Sequence, residues 1–326
     1  MDIERFPKMD AHFHATCMDS TYWRLAKKYN LSYININTDV EGLFPPIAEQ
    51  ERVALEYQKE HPGWFYYICT FPMNGWLQPY WIESVEENIL HSMQQGAIGV
   101  KFWKNIGMAV RKPDGSFLMI DDDIFTPLFE FLVDRKIPVL AHLGEPLNCW
   151  LPLEKMTSVR NRTYFSLHPE FHAYLHPEIP SYEKQIEARD HILQRYPTMI
   201  FVGAHLGSLE WNYKELAKRL DDYPQFVVDM SSRMGHLELQ SISDYEGVRQ
   251  FFLTYAERLI YGTDAYNNLA KLETSLVSDW KFLSTDQICF SNEVERQCRG
   301  LHLPEDVLHQ IYIENAKRIY RITPTN

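Results

Sequence analysis

The sequence predicts a closed (β/α)8 barrel, an α/β fold, and two observations carry that prediction. Eight short segments rich in β-branched and aromatic residues recur along the chain, and longer segments with a helical apolar period separate most of them. No repeat or linker interrupts the alternation, so we expect one domain over residues 1–326. A doubly wound open sheet is the competing fold. No strand is followed by Gly-x-Gly-x-x-Gly, which weakens its nucleotide-binding form.

Each predicted element rests on its hydrophobic periodicity and on the residues that bound it. The predicted strands are Met9–His14, Leu31–Asn37, Trp64–Phe71, Ile98–Trp103, Pro138–Leu143, Met199–Leu206, Phe226–Met230 and Leu259–Thr263. The clearest helical periods are Trp81–Gln95, Ile124–Arg135, Tyr182–Arg195 and Trp211–Asp221. The junctions before strands four to seven carry Gly96, Lys136, Pro197 and Pro224. We expect extra helices from Asp286 to Tyr320, one of them starting at Leu303-Pro304-Glu305.

One connection, the insert over residues 146–181, is abnormally long for the loop after a barrel strand. It is rich in proline, histidine and aromatic residues. Loops that follow barrel strands lie on the face where active sites are built. We therefore interpret the insert as an active-site lid, with a compact Ω-type excursion over the barrel end as the alternative.

Composition limits the partners and the compartment. The 326 residues are 45% hydrophobic and 23% charged, with a net charge of −12, which is typical of a soluble globular protein and argues against a nucleic-acid partner. A small anionic substrate stays compatible with this charge. Neither a secretory signal nor an apolar run of membrane-spanning length is evident, so we expect no membrane partner. The five scattered cysteines indicate free thiols and a cytoplasmic location.

Polar side chains gather at the predicted strand ends. His12 and His14 share one face of strand one, although about half of one His-x-His is expected by chance in a chain with 13 histidines. His142, His205 and Asp264 end strands five, six and eight, where barrel side chains converge. A carbonyl-bonded buried histidine or a helix-capping Asp264 is the alternative for each residue alone. Together they predict a site for Zn²⁺, or for Mn²⁺ or Fe²⁺, with room for an activated water.

The pattern resembles the amidohydrolase superfamily, and more narrowly the amidohydrolase-related branch that contains aminocarboxymuconate semialdehyde decarboxylase. The similarity covers nearly the whole chain. It rests on the strand-end residues above and on four further segments, which are Gly99-Val100-Lys101-Phe102, Gly203-Ala204-His205-Leu206-Gly207, Tyr261-Gly262-Thr263-Asp264, and Leu303-Pro304-Glu305-Asp306 to Glu314-Asn315-Ala316.

The resemblance implies one divalent metal ion held by His12, His14, His142 and Asp264. It makes His205 a catalytic residue beside the metal and Asp264 both a ligand and a catalytic residue. In the wider superfamily a carboxylated lysine on strand four can bridge two metals. Because the related branch works with one metal, we favour an amphipathic lysine at the barrel end for Lys101. The branch also allows a homodimer.

Further residues are candidates for substrate binding. Arg233 follows strand seven and suits a carboxylate clamp, with a surface ion pair as the alternative. Glu145 follows His142 and would orient a histidine, contact the metal or bind substrate, or else lie at the loop rim. The remaining candidates are Trp103, Lys101, Arg160 and His172. The His168/His172/His176 spacing does not match a zincin, so we do not expect a second metal there.

Three functions are compatible with such a site. The first, and the one that we predict, is a hydrolase that uses a metal-activated water on an amide, lactone or ester of a small molecule. The second is a non-oxidative decarboxylase, or a hydratase, acting on an aromatic or unsaturated carboxylic acid. The third and weakest is a non-catalytic metal-binding protein, because catalytic partners accompany the ligands.

Overall fold

The computed structural model describes residues 1–40, 42–267 and 269–323, and one parallel sheet dominates it. Its strands are β1 Lys8–His14, β2 Leu31–Ile36, β3 Phe65–Thr70, β4 Ala97–Phe102, β5 Val139–Ala141, β6 Phe201–Gly203, β7 Phe226–Asp229, β8 Leu259–Ile260 and β9 Ala265–Tyr266. Their spatial order is β8-β7-β6-β5-β4-β3-β2-β1-β9. All eight predicted strands are present.

The sheet closes on itself through its last, interrupted strand. β8 pairs with β7, and β9, which begins five residues after β8 ends, pairs with β1. Between them the Ala11 amide donates to the Tyr261 carbonyl at 3.0 Å, and the Asp264 amide donates to the His12 carbonyl at 2.7 Å. The predicted (β/α)8 barrel is therefore confirmed.

Helices separate most of the strands and cover the outside of the barrel. The segments are α1 Ser20–Tyr29, α2 Ile47–Glu60, α3 Trp81–Gln94, α4 Asn105–Met108, α5 Thr126–Arg135, α6 Val159–Leu167, α7 Tyr182–Arg195, α8 Ala204–Gly207, α9 Tyr213–Asp222, α10 Met234–Ser243, α11 Tyr245–Thr254, α12 Leu269–Ser284, α13 Glu305–His309 and α14 Asn315–Ile319. A π-helical turn, Gln310–Glu314, joins α13 to α14. Within the described part of the chain, no helix has the length and apolar character that crossing a bilayer requires.

The C-terminal region departs from the prediction in one segment. Residues expected to be helical form an antiparallel hairpin of β10 Ile288–Ser291 and β11 Arg296–Arg299. Side chains along β10 alternate between exposed and buried, which is the period of a strand. The segment is too short for this alternation to be distinguished from a helical period in the sequence. The helix expected at Pro304 is confirmed, since α13 begins at Glu305.

Two irregularities in the sheet determine which side chains enter the barrel. The pairing register of β1 with β2 shifts between Asp10 and Phe13, and the register of β3 with β4 shifts beside Gly99. A one-residue shift reverses the face that the following side chains occupy. His12 and Lys101 therefore lie inside, above an apolar plug formed by Met9, Ala11, Ile34, Ile36, Ile68, Leu140, Val202, Ala204, Val227 and Ile260.

Candidate metal centre

The carboxyl end of the barrel brings the five predicted strand-end residues together. His12 and His14 belong to β1, His142 and His205 follow β5 and β6, and Asp264 lies between β8 and β9. All four imidazoles are buried, with exposures between 1% and 5%. The His142 and His205 rings lie 4.3 Å apart between centroids, and those of His12 and His205 lie 4.9 Å apart.

Hydrogen bonds fix the tautomers of three of these histidines. His12 Nδ1 lies 2.8 Å from Asp229 Oδ2, His14 Nδ1 lies 2.8 Å from the Ile36 carbonyl, and His205 Nδ1 lies 2.8 Å from the Ser231 carbonyl. These oxygens are acceptors, so each Nδ1 carries the proton and donates it. The lone pair of each ring is therefore at Nε2, the form that ligates a metal.

The remaining donors fit one divalent cation. Both ring nitrogens of buried His142 lack a hydrogen-bond partner among the described residues, which is costly unless a ligand completes the site. Asp264 Oδ1 lies 3.4 Å from His14 Nε2 and 3.8 Å from His12 Nε2. Ligands of one tetrahedral ion with bonds of about 2.1 Å lie roughly 3.4 Å apart. Imidazoles with one carboxylate suit Zn²⁺, Mn²⁺ or Fe²⁺.

The tightest grouping differs from the predicted ligand set. Among the described residues, ligand atoms of His12, His205 and Asp264 lie within 4.8 Å of one another. His205 thus lies within 4.8 Å of the carboxylate, although the resemblance does not make it a ligand. The Asp264 side chain contacts His12, His14 and Ser232, and α12 begins only at Leu269, so the helix-cap alternative for Asp264 is not observed.

Burial controls the protonation of the cluster. It lowers the pKa of His14, and it lowers the pKa values of His142 and His205 well below the ordinary histidine value. Burial alone would raise the pKa of Asp264, but contact with His14 and the nearby His205 and His12 hold it well below its usual range. Neutral imidazoles beside an ionised carboxylate are the protonation states that bind a metal ion.

A glycine-bounded turn presents His205. Its backbone and that of Leu206 adopt left-handed conformations, with φ of 58° and 60°. A Cβ on Gly203 would lie 2.7 Å from the Phe226 ring, and one on Gly207 would meet the same ring at 2.7 Å. The two glycines of the Gly-Ala-His-Leu-Gly segment therefore allow the turn to pack against Phe226 while the imidazole faces the centre.

Two residues that the sequence did not single out support the cluster from below. Asp229, at the end of β7, binds His12 through Oδ2 and accepts the His205 backbone N–H at 2.9 Å through Oδ1. The Ser231 hydroxyl donates to Asp229 Oδ1 at 2.5 Å. Burial would raise the pKa of Asp229, but His12 and His205 hold it below its usual value. Its position at a strand end, level with the predicted ligands, was the available signal.

Lys101 is not a lysine at the barrel surface. It is 0% exposed, and its Nζ lies 3.5 Å from His12 Nε2. Burial lowers its pKa to about 8, against the opposing influence of Asp229 and Asp264. The favoured prediction of an amphipathic lysine is therefore wrong, because the register shift in β4 turns the side chain inward.

Arg233 is also buried, so the surface ion pair considered for it is wrong. The residue is 9% exposed, its Nη1 donates to the Ser232 carbonyl at 2.9 Å, and its Nε has no partner among the described residues. No carboxylate in the described segments forms an ion pair with it. Glu210 is 1% exposed, and its burial raises the pKa of its carboxyl to about 7. The charge of Arg233 opposes this shift.

Helix α6 of the insert lines two openings, and the prediction that the insert is a lid stays a prediction. Arg160, in its first turn, lines a polar pocket with Ser232 and Lys271, whereas Tyr164 lines a larger cleft on the other side. This cleft also contains Trp103 and Glu145, and the Glu145 carboxylate pairs with Lys104. The Trp103 ring contacts the His142 ring edge-on, with 4.9 Å between centroids.

His172 does not reach either opening, and its predicted contact with substrate is wrong. The side chain is 2% exposed, donates from Nε2 to the Leu151 carbonyl at 2.8 Å, and stacks on Phe165. It stabilises the insert's own small core of Cys149, Met156, Phe165 and Ala173. The sequence could not distinguish a histidine that packs within the insert from one that points out of it.

Comparison with known proteins gives the family. The model of the family described as Amidohydrolase matches residues 47–322. A comparison with curated proteins found no match.

Solved structures share the fold over nearly the whole chain. The 2,6-dihydroxybenzoate decarboxylase from Rhizobium is 13% identical, with 97% of this chain and 99% of that chain covered and a TM-score of 0.55. A dihydroxybenzoic acid decarboxylase from Polaromonas sp. JS666, with bound manganese and 2-nitroresorcinol, is 14% identical, with 98% of both chains covered and a TM-score of 0.55. A probable 2-pyrone-4,6-dicarboxylic acid hydrolase from Acinetobacter baumannii is 10% identical, with 97% and 99% covered and a TM-score of 0.53.

The family model spans most of the chain and contains three of the five predicted strand-end residues, His142, His205 and Asp264, whereas His12 and His14 precede its first matched residue. The barrel, the histidine cluster at its carboxyl end and this match agree, and the chain belongs to the amidohydrolase family of enzymes.

Proposed function

We propose that this enzyme is a metal-dependent, non-oxidative decarboxylase of an aromatic or unsaturated carboxylic acid. The observation that carries the proposal is the buried guanidinium of Arg233, which lacks a carboxylate partner among the described residues. A buried, unpaired cation is costly, and a substrate carboxylate is its natural complement. Arg233 is also close enough to His142 and His205 to lower their pKa values.

The neighbours in fold support an acidic substrate. Two of them are named as decarboxylases of dihydroxybenzoic acids, and the third is named as a probable hydrolase of a dicarboxylic acid. All three names describe small carboxylic acids. Of the two buried cationic side chains near the cluster, Lys101 lies close to the carboxylates of Asp229 and Asp264, which leaves Arg233 as the cation available to an anion.

In this proposal His12, His14, His142 and Asp264 hold one divalent metal ion, Zn²⁺ or alternatively Mn²⁺ or Fe²⁺. When bound, the ion supplies Lewis-acid stabilisation of negative charge on the substrate. Arg233 orients the substrate carboxylate. The bond between that carboxylate and the neighbouring carbon breaks, carbon dioxide leaves, and the electron pair stays on carbon until it takes up a proton. Neither His205 Nε2 nor the Asp264 carboxylate holds a proton at rest, so one of them would take a proton from water and pass it to that carbon, leaving hydroxide to be neutralised by the solvent.

Hydrolysis is the second candidate, and one observation favours it. Asp264 is held ionised beside His12 and His14, so its carboxylate can accept a proton from a water molecule at the same centre. The fold shared with a probable 2-pyrone-4,6-dicarboxylic acid hydrolase is compatible with this chemistry. Both candidates use the same residues and differ in the bond that breaks.

The test measures products and metal together. Purified protein is incubated with aromatic acids such as 2,6-dihydroxybenzoate and, separately, with lactones and amides, while carbon dioxide and hydrolysis products are followed. We expect carbon dioxide release, about one equivalent of metal by elemental analysis, and a loss of at least about 100-fold in turnover for His205→Asn with metal content unchanged. Hydrolysis products alone would exclude the decarboxylase, and metal loss in His205→Asn would make His205 a ligand.

A further inference from the structure

The cleft beside the candidate metal centre is larger than a single-ring acid requires. Its volume is about 1820 Å³, whereas pockets for small ligands usually enclose about 300–1,000 Å³. At one end it is lined by Phe44 and Trp103, whose rings contact His14 and His142. It extends from there to Asn88 and His91 of α3. The cleft thus adjoins the centre through these two rings, and a ligand that passes them would have space for a long second part.

The two ends of this space differ in charge. Near the histidine cluster, the buried cations Lys101 and Arg233 are accompanied by the ionised carboxylates of Asp229 and Asp264. The cleft is lined by four carboxylates and one lysine, a net charge of −3 with neutral histidines, and the residues concerned are Asp39, Glu51, Glu145, Glu170 and Lys104. Lys104 is already paired with Glu145. The outer part of the cleft thus favours a cationic group, whereas an anionic group at the inner end depends on Arg233 of the proposed function.

Asp39 is the carboxylate that the fold holds most firmly in this cleft. Its Oδ2 accepts the Met73 backbone N–H at 3.0 Å and the Asn105 side-chain amide at 3.1 Å, so loops after β3 and β4 both hold it. No lysine, arginine or histidine of the described segments forms an ion pair with it. Asp39 therefore presents a fixed negative charge without a cationic partner.

The adjacent Thr38 adds an unsatisfied hydroxyl. Gln50 fixes its backbone by two hydrogen bonds of 2.9 Å, one to the carbonyl and one from the N–H. The residue is 1% exposed and lines the cleft, and its Oγ1 has no partner among the described residues. A buried hydroxyl left without a partner is costly, so a ligand that bonds it would bind more tightly.

We propose that Thr38 and Asp39 form a subsite for a primary ammonium group, so that the substrate is an elongated carboxylic acid with an amino group at its far end. An ammonium offers three donors, which suit the free Asp39 oxygen and the Thr38 hydroxyl. The Asp39–ammonium contact is charge-assisted and partly shielded from solvent. The carboxylate end of this assignment rests on the proposed function, and the ammonium end rests on the cleft alone.

Calorimetry with two probes of matched shape tests the subsite. The probes are 4-(aminomethyl)benzoate and 4-methylbenzoate, which differ in the terminal ammonium. We expect the amino probe to bind at least about 10-fold more tightly to the full-length protein, in line with a charge-assisted hydrogen bond. Asp39→Asn should bring the two affinities to within about 2-fold, and Thr38→Val should reduce the preference about 3-fold.

Asp114→Asn is the matched control. Asp114 also accepts a backbone N–H, from Ser116 at 2.9 Å, but lies in an exposed turn away from the cleft, so the preference should persist. Equal affinity of the two probes, no binding of the amino probe, or a preference that survives Asp39→Asn would overturn the subsite. If Asp39→Asn fails to fold, Thr38→Val, which removes a hydroxyl without a partner, decides the question by itself.

Binding and turnover separate this proposal from the proposed function. The calorimetry is repeated with His205→Asn, in which turnover is lost but the cleft is intact. An Asp39-dependent preference without carbon dioxide release from any acid would support the subsite and contradict the decarboxylase. Carbon dioxide release without an Asp39-dependent preference would support the decarboxylase and overturn the subsite.

Discussion

Asp229 Oδ2 accepts the Nδ1 proton of His12 at 2.8 Å, and the other oxygen of the same carboxylate accepts the backbone N–H of His205 at 2.9 Å. One buried side chain thereby fixes the ring of a proposed ligand and the backbone of a proposed catalytic residue. Such a carboxylate–histidine contact sets the tautomer and increases the basicity of the ligating nitrogen. The candidate centre therefore depends on a residue that contacts neither metal nor substrate.

Asp229→Asn should weaken metal binding without removing a ligand. The amide can offer an N–H to His12 Nδ1, which would move the ring proton to Nε2, the atom that faces Asp264. We expect metal affinity to fall about 10–100-fold, measured by competition with a chelator of known affinity. Asp221→Asn, at an exposed aspartate that accepts the Tyr255 hydroxyl, is the control. Unchanged affinity in Asp229→Asn would contradict this role.

Gly203→Ala should disturb the turn that carries His205. Gly203 has an ordinary φ of −78°, so the effect is steric: the new methyl group would lie 2.7 Å from the Phe226 ring and 2.9 Å from Gly207 Cα. Overpacking of this kind costs about 1–3 kcal/mol. Urea denaturation should show that loss in the free energy of unfolding, together with lower turnover. Gly115→Ala is the comparison variant. Gly115 has a left-handed φ of 87°, and no atom lies within 4 Å of a Cβ added there, so this variant measures backbone strain without steric overlap. If Gly203→Ala unfolded at the same urea concentration as the wild-type protein, the steric explanation would be wrong.

The barrel and its strand-end residues were predictable because they depend on local pattern and on one rule of topology. Short apolar segments between helical periods identified all eight strands. Polar side chains at the carboxyl ends of such strands must converge once the sheet closes. His142, His205 and Asp264 could thus be grouped although more than 120 residues separate the first from the last. Asp229 also lies at the carboxyl end of a strand, but the residues before it are apolar, so the segment indicated only core packing.

Other features depend on contacts that a sequence does not display. Lys101 faces the centre only because the register of β4 shifts beside Gly99, and an undisturbed strand would have turned it outward. The hairpin of β10 and β11 is four residues per strand, too short for its alternation to be distinguished from a helical period. The helix α6 in the insert has almost no amphipathic pattern, because it buries only Asn161 and Phe165 and leaves apolar Leu167 exposed.

Glu210 should give the enzyme a measurable pH dependence of stability. Burial raises its pKa from the ordinary glutamate value of 4.5 to about 7, while Arg233 opposes the shift. Between these values the folded state holds a proton that the unfolded state has lost, so this residue's contribution to the free energy of unfolding falls as pH rises from about 4.5 to about 7.

Glu210→Gln should remove that decline, because the amide oxygen can still accept the Leu147 N–H that Glu210 accepts at 2.9 Å. The difference in the free energy of unfolding between the two proteins, measured by urea denaturation across this pH range, isolates the contribution of Glu210 from that of other groups. A constant difference across the range would show that Glu210 has the same pKa in both states.

Arg233→Met should separate a binding role from a structural one. A structural arginine stabilises the fold through its partners, but Arg233 makes one hydrogen bond, to the Ser232 carbonyl, and its buried Nε makes none among the described residues. Replacing it by an apolar side chain of similar length removes a desolvated charge, so the free energy of unfolding should stay the same or rise. Affinity for benzoate should fall about 10–100-fold, the value of one or two charge-assisted hydrogen bonds. Calorimetry and urea denaturation measure the two quantities on the same samples. A loss of stability with unchanged benzoate affinity would make Arg233 a structural residue and remove the main support for an acidic substrate.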